Sequence, residues 1–571
     1  MAIASPDRSM AARTATAPVR IDARELRTVL HKRRTDLVLL HDISLTILPG
    51  ELVTIVGGSG AGKSTLINAL AGVRPSTSGA VLYNGNDLAA NIAAYRTSLG
   101  YVPQDDIVHK ELTVARTLDY AARLRLCHAT SAERHEAVKD VMVSLGLSEQ
   151  SGQRVSSLSG GQRKRTSIGA ELITHPGVFF LDEPTSGLDP ATGREMMRLL
   201  RELADGGSTV VLTTHAPQDI AFCDRVVFLA RGGHLVFDGT PAHALSYFGV
   251  EQFDAIYECL EQELDPAQWA ERWEDARPRA AGEVPVVAAP VARKGPGRVR
   301  QWAVLTERNF EILGRNWLTL AILAGAPVLV IAMMTVLFRP GAFDINDPSP
   351  SATIMILYWV AFGSFFFGLT YGLLQIVTEM HIFQRERLVN LHVAPYVLSK
   401  VAVLAPILIV VNFAMIGVLR ATDRLPSEGM DVYGPITITL LLDGLAAIAL
   451  GLFASAAVTR PEQATLVLPL LCFPQVLFAG AMLPVPVMAD VGEGISLFIS
   501  DKWAFEALGK HLDLNTLFSE GNSPLGRPLL DQYEGTFSGG VAGDWAVLAA
   551  FTVAALVGTW VVLIRKSGTG R

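Results

Sequence analysis

A glycine-rich segment of the chain has the residue types that bind phosphate. It reads Gly57-Gly58-Ser59-Gly60-Ala61-Gly62-Lys63-Ser64, and Thr65 follows it. The segment fits the pattern G-x-x-x-x-G-K-[ST] and lies between an apolar, strand-like run and a helical run. Glycines let backbone N–H groups turn towards phosphate oxygens, the lysine ammonium suits β- and γ-phosphate charge, and the last serine hydroxyl suits Mg²⁺. The segment predicts a nucleotide-binding loop and, alone, nothing narrower.

Two adjacent carboxylates end a second apolar run. Phe179–Leu181 precede Asp182 and Glu183. A strand ending there would place the Asp182 carboxylate near a magnesium ion and would position Glu183 to polarise an attacking water. For an isolated strand end, an ordinary structural role is the better interpretation, so the other motifs of the chain must decide.

A third segment could bind phosphate only together with another surface. Leu158-Ser159-Gly160-Gly161-Gln162 cannot bind a nucleotide by itself. Its small residues and backbone amides suit it to contact phosphate oxygens that another surface presents.

Together, these motifs resemble those of ATP-binding-cassette (ABC) proteins, over about residues 37–248. The elements stand in the family's order: the loop at 57–64, Gln104 in Tyr-Val-Pro-Gln, the signature 158–162, Asp182-Glu183, and His215 after two threonines. Asp189 occupies the place of the family's D-loop aspartate.

The resemblance implies a role for each of these residues and implies ATP and Mg²⁺ as cofactors. Gln104 would sense the magnesium and signal to a membrane domain, and His215 would contact the γ-phosphate. Glu183 would be the general base. The implied magnesium ligands are Ser64, Gln104 and Asp182. The implied contacts to a partner subunit's ATP come from the signature residues Ser159, Gly160, Gly161 and Gln162.

One departure from the family concerns the nucleotide base. ABC proteins usually stack adenine on an aromatic residue upstream of the phosphate loop, but residues 21–56 contain no Phe, Tyr or Trp. We therefore predict only modest discrimination between ATP and GTP.

Charge and apolar residues are unevenly distributed along the 571 residues. The net charge of −7 argues against nucleic acid as a partner. The predicted fold is an α/β P-loop ATPase domain followed by an all-α domain of six transmembrane helices. The predicted segments are a disordered N-terminus at 1–20, the nucleotide domain at 21–249, a flexible linker at 250–298, an amphipathic connecting helix at 299–316, and the transmembrane domain at 317–571.

Six long apolar runs are each about the length needed to cross a bilayer. They cover residues 317–338, 353–378, 401–419, 435–458, 464–483 and 545–564. The loop 484–544 has three Lys/Arg against nine Asp/Glu, whereas Lys and Arg gather in 379–400 and in the C-terminal tail. This bias predicts that both termini and the nucleotide domain are cytoplasmic. The two arginines in the 420–434 loop weakly oppose that orientation.

The domain order and one further motif resemble the G (White/pleiotropic-drug) subfamily of ABC exporters and its bacterial relatives. Residues 379–387 match the subfamily's E-x-x-x-F-x-R-E-R sequence. There this sequence docks the membrane domain on the nucleotide domain, which assigns coupling to Glu379, Arg385 and Glu386. The outer loops lack the cysteines of many eukaryotic members, which favours a bacterial protein in the cell membrane.

A chain with one cassette and one membrane domain is half a transporter. Because the signature must face another subunit's phosphate loop, we expect a dimer; a homodimer is the simplest assembly, and a heterodimer stays open. The leading hypothesis is an ATP-driven exporter of a lipid or another hydrophobic compound. The alternatives are a mechanotransmitting or regulatory membrane ATPase that passes no cargo, and an importer.

Three polar residues fall within the predicted spans. Asn412, Asp443 and Gln475 lie near the middle of spans three, four and five. A carboxylate in a membrane is costly unless it is paired or hydrated. We hypothesise that Asp443 hydrogen-bonds Asn412 or Gln475, either as a structural clamp or as a polar spot in the pathway.

Overall fold

The computed structural model describes residues 19–32, 35–277 and 295–566. The chain divides into two compact units: residues 1–296 together with 385–391, and residues 297–384 together with 392–571. We call them the nucleotide unit and the membrane unit. The predicted disordered segment 1–20 lies outside the described residues, apart from its last two.

The nucleotide unit contains two sheets. Their strands are β1 Ile21–Lys32, β2 Thr35–Ile47, β3 Leu52–Val56, β4 Ser78–Tyr83, β5 Asn86–Asp87, β6 Leu99–Val102, β7 Val178–Asp182, β8 Thr209–Thr214, β9 Arg225–Ala230 and β10 His234–Gly239. An antiparallel sheet has the order β2-β1-β4-β5, and a second, mainly parallel sheet has the order β10-β9-β3-β8-β7-β6. In the second sheet, β3, β7 and β8 are buried along their whole lengths. Continuous apolar runs are typical of parallel strands that are covered on both faces.

Helices flank these sheets. They are α1 Lys63–Leu70, α2 Leu88–Tyr95, α3 Val114–Arg125, α4 Ser131–Ser144, α5 Gly160–Leu172, α6 Pro190–Asp205, α7 Pro217–Ile220, α8 Pro241–Phe248, α9 Phe253–Gln262 and α10 Pro266–Ala276. The parallel strands therefore end next to helix N-termini, the arrangement in which α/β folds bind ligands.

The predicted flexible linker at 250–298 is wrong for its first half. Helices α9 and α10 occupy residues 253–276, and the α10 side chains Trp269 and Trp273 are fully buried in the core of the nucleotide unit. Buried aromatic surface outweighs the charged and proline-rich composition from which the linker was predicted. Residues 278–294 of the predicted linker lie outside the described residues.

The membrane unit is helical, with one helix shared at its edge. Its elements are α11 Arg298–Arg315, α12 Trp317–Leu337, α13 Pro350–Leu373, α14 Met380–Leu388, α15 Val393–Ala421, α16 Met430–Ala457, α17 Pro461–Phe478, α18 Asp490–Ser496, α19 Ser500–His511, α20 Leu514–Glu520, α21 Gly526–Gln532 and α22 Ala542–Lys566. Helix α14 belongs to this unit only through Gln384. The loop predicted between spans five and six is largely helical, as α18–α21.

Five helical segments of the described chain are long and apolar enough to cross a membrane; they contain α12, α13, α15, α16 and α22. The predicted fifth span at 464–483 corresponds to α17, which is not among them. This helix ends at Phe478, carries Pro469 and Pro474 in its interior, and is followed by Gly480 at φ 92°. The left-handed conformation of Gly480 cannot continue an α-helix, so α17 ends before the predicted end of the span, and the count of six spans stays a prediction.

The backbones of helices α13 and α16 lie very close to each other. A Cβ atom added at Gly368 would lie 2.3 Å from the Gly444 carbonyl oxygen, and one at Gly372 would lie 2.5 Å from that of Ile448. Small residues at four-residue spacing are what allow membrane helices to pack this closely. We call this contact the glycine seam.

Candidate active site

The phosphate-binding loop links β3 to α1, as the motif requires. Helix α1 begins at Lys63, directly after Gly62, whose φ of 88° is in the left-handed region. A Cβ at Gly62 would stand 2.8 Å from the Leu39 carbonyl oxygen, so both the conformation and the space require glycine. The first N–H groups of α1 therefore face the loop and provide an anion-binding end.

The phosphate-binding loop brings a lysine of α1 close to a carboxylate at the end of β7. The Lys63 ammonium donates to the carbonyls of Gly57 and Gly58 at 2.8 and 3.1 Å, and burial lowers its pKa. The Ser64 hydroxyl donates to Asp182 Oδ1 at 3.3 Å, and Thr213 donates to the same oxygen at 2.5 Å. These oxygen donors match the hard ligands that Mg²⁺ prefers.

Glu183 contacts two further residues that the sequence predicted for this site. Gln104 Nε2 donates to Glu183 Oε2 at 3.0 Å, and His215 Nδ1 lies 3.5 Å from Glu183 Oε1. The Glu183 backbone has φ 48°, an unfavourable value for a non-glycine residue. Its N–H donates to the Thr213 hydroxyl at 2.9 Å, which helps to hold that conformation. Strain of this kind is concentrated at functional sites.

The assembled groups line a cavity of about 750 Å³. Its walls include the whole loop, Gln104, Glu183 and His215, as predicted, together with Leu39 and Tyr257. Tyr257 lies on α9, within the segment predicted to be a linker, and no sequence motif marks it. Its buried hydroxyl has no hydrogen-bond partner among the described residues.

The signature segment is not part of this cavity. Ser159 caps α5, and a reciprocal pair of hydrogen bonds with Gln162 fixes the start of the helix. Ser159 and Gly160 are exposed. None of the described residues that line the cavity comes from 158–162.

Helix α5 also carries a lysine that the sequence did not reveal. Lys164 is buried and donates to the carbonyl oxygens of Pro103 and Gln104 at 3.1 and 2.8 Å. Burial lowers the pKa of this ammonium, and nearby carboxylates, Asp106 foremost, oppose that effect. The lysine positions the Gln104 loop from the helix that begins with the signature.

Asp189 has a local role as the N-cap of α6. Its carboxylate accepts from the backbone N–H groups of Ala191 and Thr192, both at 3.0 Å. Hydrogen bonds from Thr192 hold the pKa of Asp189 below its ordinary value. Its predicted D-loop role stays a prediction.

Comparison with known proteins agrees with this geometry. The family profile described as ABC transporter matches residues 40–186, and the profile described as ABC-2 type transporter matches residues 300–510. An ABC transporter ATP-binding/permease protein of Mycobacterium tuberculosis is 33% identical over 507 residues, which are 87% of this chain and 58% of the relative. The chain carries an ABC transporter domain followed by an ABC-2 type transporter domain.

Other relatives match a shorter part of the chain. ABC transporter G family member 22 of Arabidopsis thaliana is 40% identical over 220 residues, covering 37% of this chain and 29% of the relative. The broad substrate specificity transporter ABCG2 of Rattus norvegicus is 39% identical over 240 residues, covering 40% of this chain and 35% of the relative. The chain thus spans less than two thirds of the length of each relative. The predicted resemblance to G-type ABC proteins, with the nucleotide domain first, is confirmed.

The E-x-x-x-F-x-R-E-R motif of this ABC protein divides between the two units. In the membrane unit, Glu379 accepts from Lys400 at 2.6 Å, and Lys400 also donates to Asn309 at 3.2 Å. Arg385 and Glu386 group with the nucleotide unit, where Arg385 Nε lies 3.6 Å from the buried carboxylate of Glu171. Glu386 is buried. The two motif residues in the nucleotide unit are buried, and Glu379 in the membrane unit is half-buried.

The hypothesis that Asp443 hydrogen-bonds Asn412 or Gln475 is wrong. All three side chains are buried, but Asn412 donates to Ser364 at 3.0 Å, and Gln475 accepts from the Asp501 backbone N–H at 3.1 Å. The Asn412 N–H group and the Gln475 carbonyl are thus engaged by partners on α13 and α19, while Asn412 Oδ1 has no hydrogen bond within the described residues. Asp443 faces Ser500 and Asp501 instead.

Proposed function

We propose that this chain is one half of an ATP-driven exporter, working as a homodimer with two shared ATP sites. The observation that carries the proposal is that the nucleotide cavity and the signature lie apart on the same chain. The cavity holds the phosphate loop and Glu183, while the exposed start of α5 presents Ser159 and Gly160. A second copy would supply to each cavity the phosphate contacts that its own chain does not.

In this proposal, Glu183 accepts the proton of a water that attacks the γ-phosphorus as the bond to the β-phosphate oxygen breaks. Lys63 and the amides of α1 bind the phosphates, and His215 contacts the γ-phosphate. Ser64, Asp182 and Gln104 would hold Mg²⁺, which neutralises phosphate charge when bound. Gln104 and His215 both approach Glu183 and orient its carboxylate.

We propose a lipid or another hydrophobic compound as cargo. A cavity of about 270 Å³ in the membrane unit has an apolar lining that includes Trp359, Phe362 and Phe366 of α13 and Met333 of α12. Such a lining suits a ligand that is itself apolar.

We also propose that both termini and the nucleotide unit are cytoplasmic, in a bacterial cell membrane. The Lys566 ammonium at the end of α22 donates to the carbonyls of Ala457 and Val458 at the end of α16. Helices α16 and α22 therefore end on the same side, as the predicted fourth and sixth spans should. Arg565 adds positive charge at that end, in line with the positive-inside rule.

A crossed pair of mutant dimers tests the shared sites. Two differently tagged copies are co-expressed, and the mixed dimer is purified through both tags. In one preparation, Lys63→Ala and Ser159→Phe are on one copy, opposite a wild-type copy. In the other preparation, each copy carries one of the two changes.

Shared sites predict that the separated changes leave one intact site, and about half the ATP turnover, whereas the combined changes leave none. The reverse order would show that each site is contained in one chain. If the two tags did not purify together, the homodimer would be excluded.

A further inference from the structure

Two buried aspartates of the membrane unit face each other. Asp443 lies in the middle of α16, and Asp501 lies in the first turn of α19; both are 0% exposed. Their carboxyl groups are near enough to share a hydrogen bond once one of them carries a proton. Among the described residues, no donor makes a hydrogen bond of ordinary geometry to any of their four oxygens, and Ser500 is the donor that faces Asp443.

Two buried hydroxyl groups lie beside the pair. The Ser500 hydroxyl faces Asp443 and is near enough to act on that carboxyl, but in the described chain it does not reach ordinary hydrogen-bond geometry. The buried hydroxyl of Tyr358, on α13, is likewise unpaired there and is close enough to Asp501 to respond to its charge. Buried polar groups without hydrogen bonds are costly. A site that holds several of them together therefore favours a bound species that supplies the missing hydrogen bonds.

The charged groups on the surrounding helices are engaged elsewhere. On α19, Lys502 pairs with Glu506 at 3.3 Å, and Lys510 pairs with Asp544 of α22 at 2.7 Å. Other titratable groups on the packed helices include Cys472 on α17, which lies near Asp501, and His511 on α19, which contacts Thr439. On α15, Lys400 pairs with Glu379 at 2.6 Å, and Arg420 lies over the Tyr433 ring of α16. The described chain therefore provides no cation to neutralise the two aspartates.

Two carboxylates that face each other in a buried site cannot both be ionised. Burial and the facing Asp443 carboxyl raise the pKa of Asp501 well above its ordinary value. Asp501 also stands at the N-terminal end of α19, where the helix dipole stabilises one negative charge. One charge and one proton is therefore the favoured state of the pair.

We propose that Asp443 and Asp501 together form a proton-binding site, in which one proton joins the two carboxyl groups across the α16–α19 contact. The proton is taken up from water and returned to water. A cavity of about 280 Å³ reaches Ser500 and Gln475, the immediate neighbours of the pair, and is large enough to admit water. Separation of α19 from α16 would hydrate both carboxyls and release the proton.

Infrared spectroscopy of the purified full-length protein in lipid nanodiscs tests the site. The C=O absorption of a protonated carboxyl is followed from about pH 5 to about pH 9, above the ordinary titration range of aspartate. The variants are Asp443→Asn and Asp501→Asn, which keep the side-chain shape. Glu506→Gln is the matched control, because this carboxyl is also buried on α19 but is paired with Lys502.

We expect the wild type and Glu506→Gln to show one protonated carboxyl near neutral pH that both aspartate variants lose. No such absorption in the wild type, or an absorption that survives in both aspartate variants, would overturn the proposal. If neither variant folds, thermal unfolding of the wild type decides. Its midpoint should fall as pH rises towards the apparent pKa of the pair, because the folded state binds the extra proton. A midpoint that stays constant as pH rises from about 5 to about 9 contradicts the site.

Discussion

The nucleotide unit and the membrane unit each bury an aspartate, and the two carboxylates have opposite surroundings. Asp182 accepts hydrogen bonds from Ser64 and Thr213 beside an open cavity. Asp443 accepts no hydrogen bond of ordinary geometry from the described residues, and it faces the Ser500 hydroxyl and another carboxyl. The first arrangement stabilises a negative charge that can bind a cation, whereas the second disfavours two negative charges and favours one proton between the two carboxyls. A buried carboxylate therefore shows its role only through its partners.

The largest expected effect concerns the carboxylate at the open cavity. Glu183→Gln should lower ATP turnover at least about 100-fold, because the amide cannot accept the proton of the attacking water. Binding of ATP should remain, since the phosphate loop is unchanged. Phosphate release and nucleotide binding are measured on the same preparation. Glu202→Gln, at an exposed position of α6, is the control, and near-normal turnover in Glu183→Gln would exclude Glu183 as the base.

The next effect tests whether the membrane unit depends on close packing rather than on polar contacts. Gly368→Ala should lower the free energy of unfolding by about 1–3 kcal/mol, because the new methyl group overlaps the Gly444 carbonyl. Gly417→Ala on α15 has open space around it and should be neutral or slightly stabilising. Thermal or denaturant unfolding in detergent compares the two variants. Equal stabilities would show that the glycine seam contributes nothing.

A smaller effect is expected from the lysine that positions the Gln104 loop. Lys164→Met should lower ATP turnover roughly tenfold, since about 1.4 kcal/mol separates tenfold rates and charge-assisted hydrogen bonds contribute about 1.5–3 kcal/mol. Lys139→Met, at an exposed position of α4, should change nothing. If the two variants turned over ATP equally fast, Lys164 would have no part in positioning the loop.

The smallest effect concerns the choice of nucleotide. The cavity wall offers Leu39 and Tyr257, which can pack against any purine. We expect ATP and GTP affinities within about tenfold of each other, or 1.4 kcal/mol. Tyr257→Ala should weaken both nucleotides together, and Tyr257→Phe should weaken neither. A much larger measured preference for ATP would mean that another group reads the base.

The sequence predicted the cavity better than its surroundings, for a physical reason. The phosphate loop, the Asp182-Glu183 pair and the signature are short segments whose chemistry depends on adjacent residues. Lys164 and Tyr257 reach the same site from helices whose local sequence is ordinary, so only the folded chain reveals them.

The membrane unit was harder to predict still. Spacing alone suggested that Asp443 meets Asn412 or Gln475, but its neighbour Asp501 lies 58 positions along the chain, in a segment predicted as a loop. The same holds for α10, where two buried tryptophans outweigh a composition typical of linkers. Long-range packing decides these cases, and it leaves no periodic signal in a single sequence.

The glycine seam has a consequence for motion. Where backbone atoms of α13 and α16 touch directly, few side chains can change rotamer and allow the helices to slide. The two helices should therefore move as one rigid body during any transport cycle. Opening and closing of the membrane unit must then take place at its other helix contacts, where flexible side chains form the boundary.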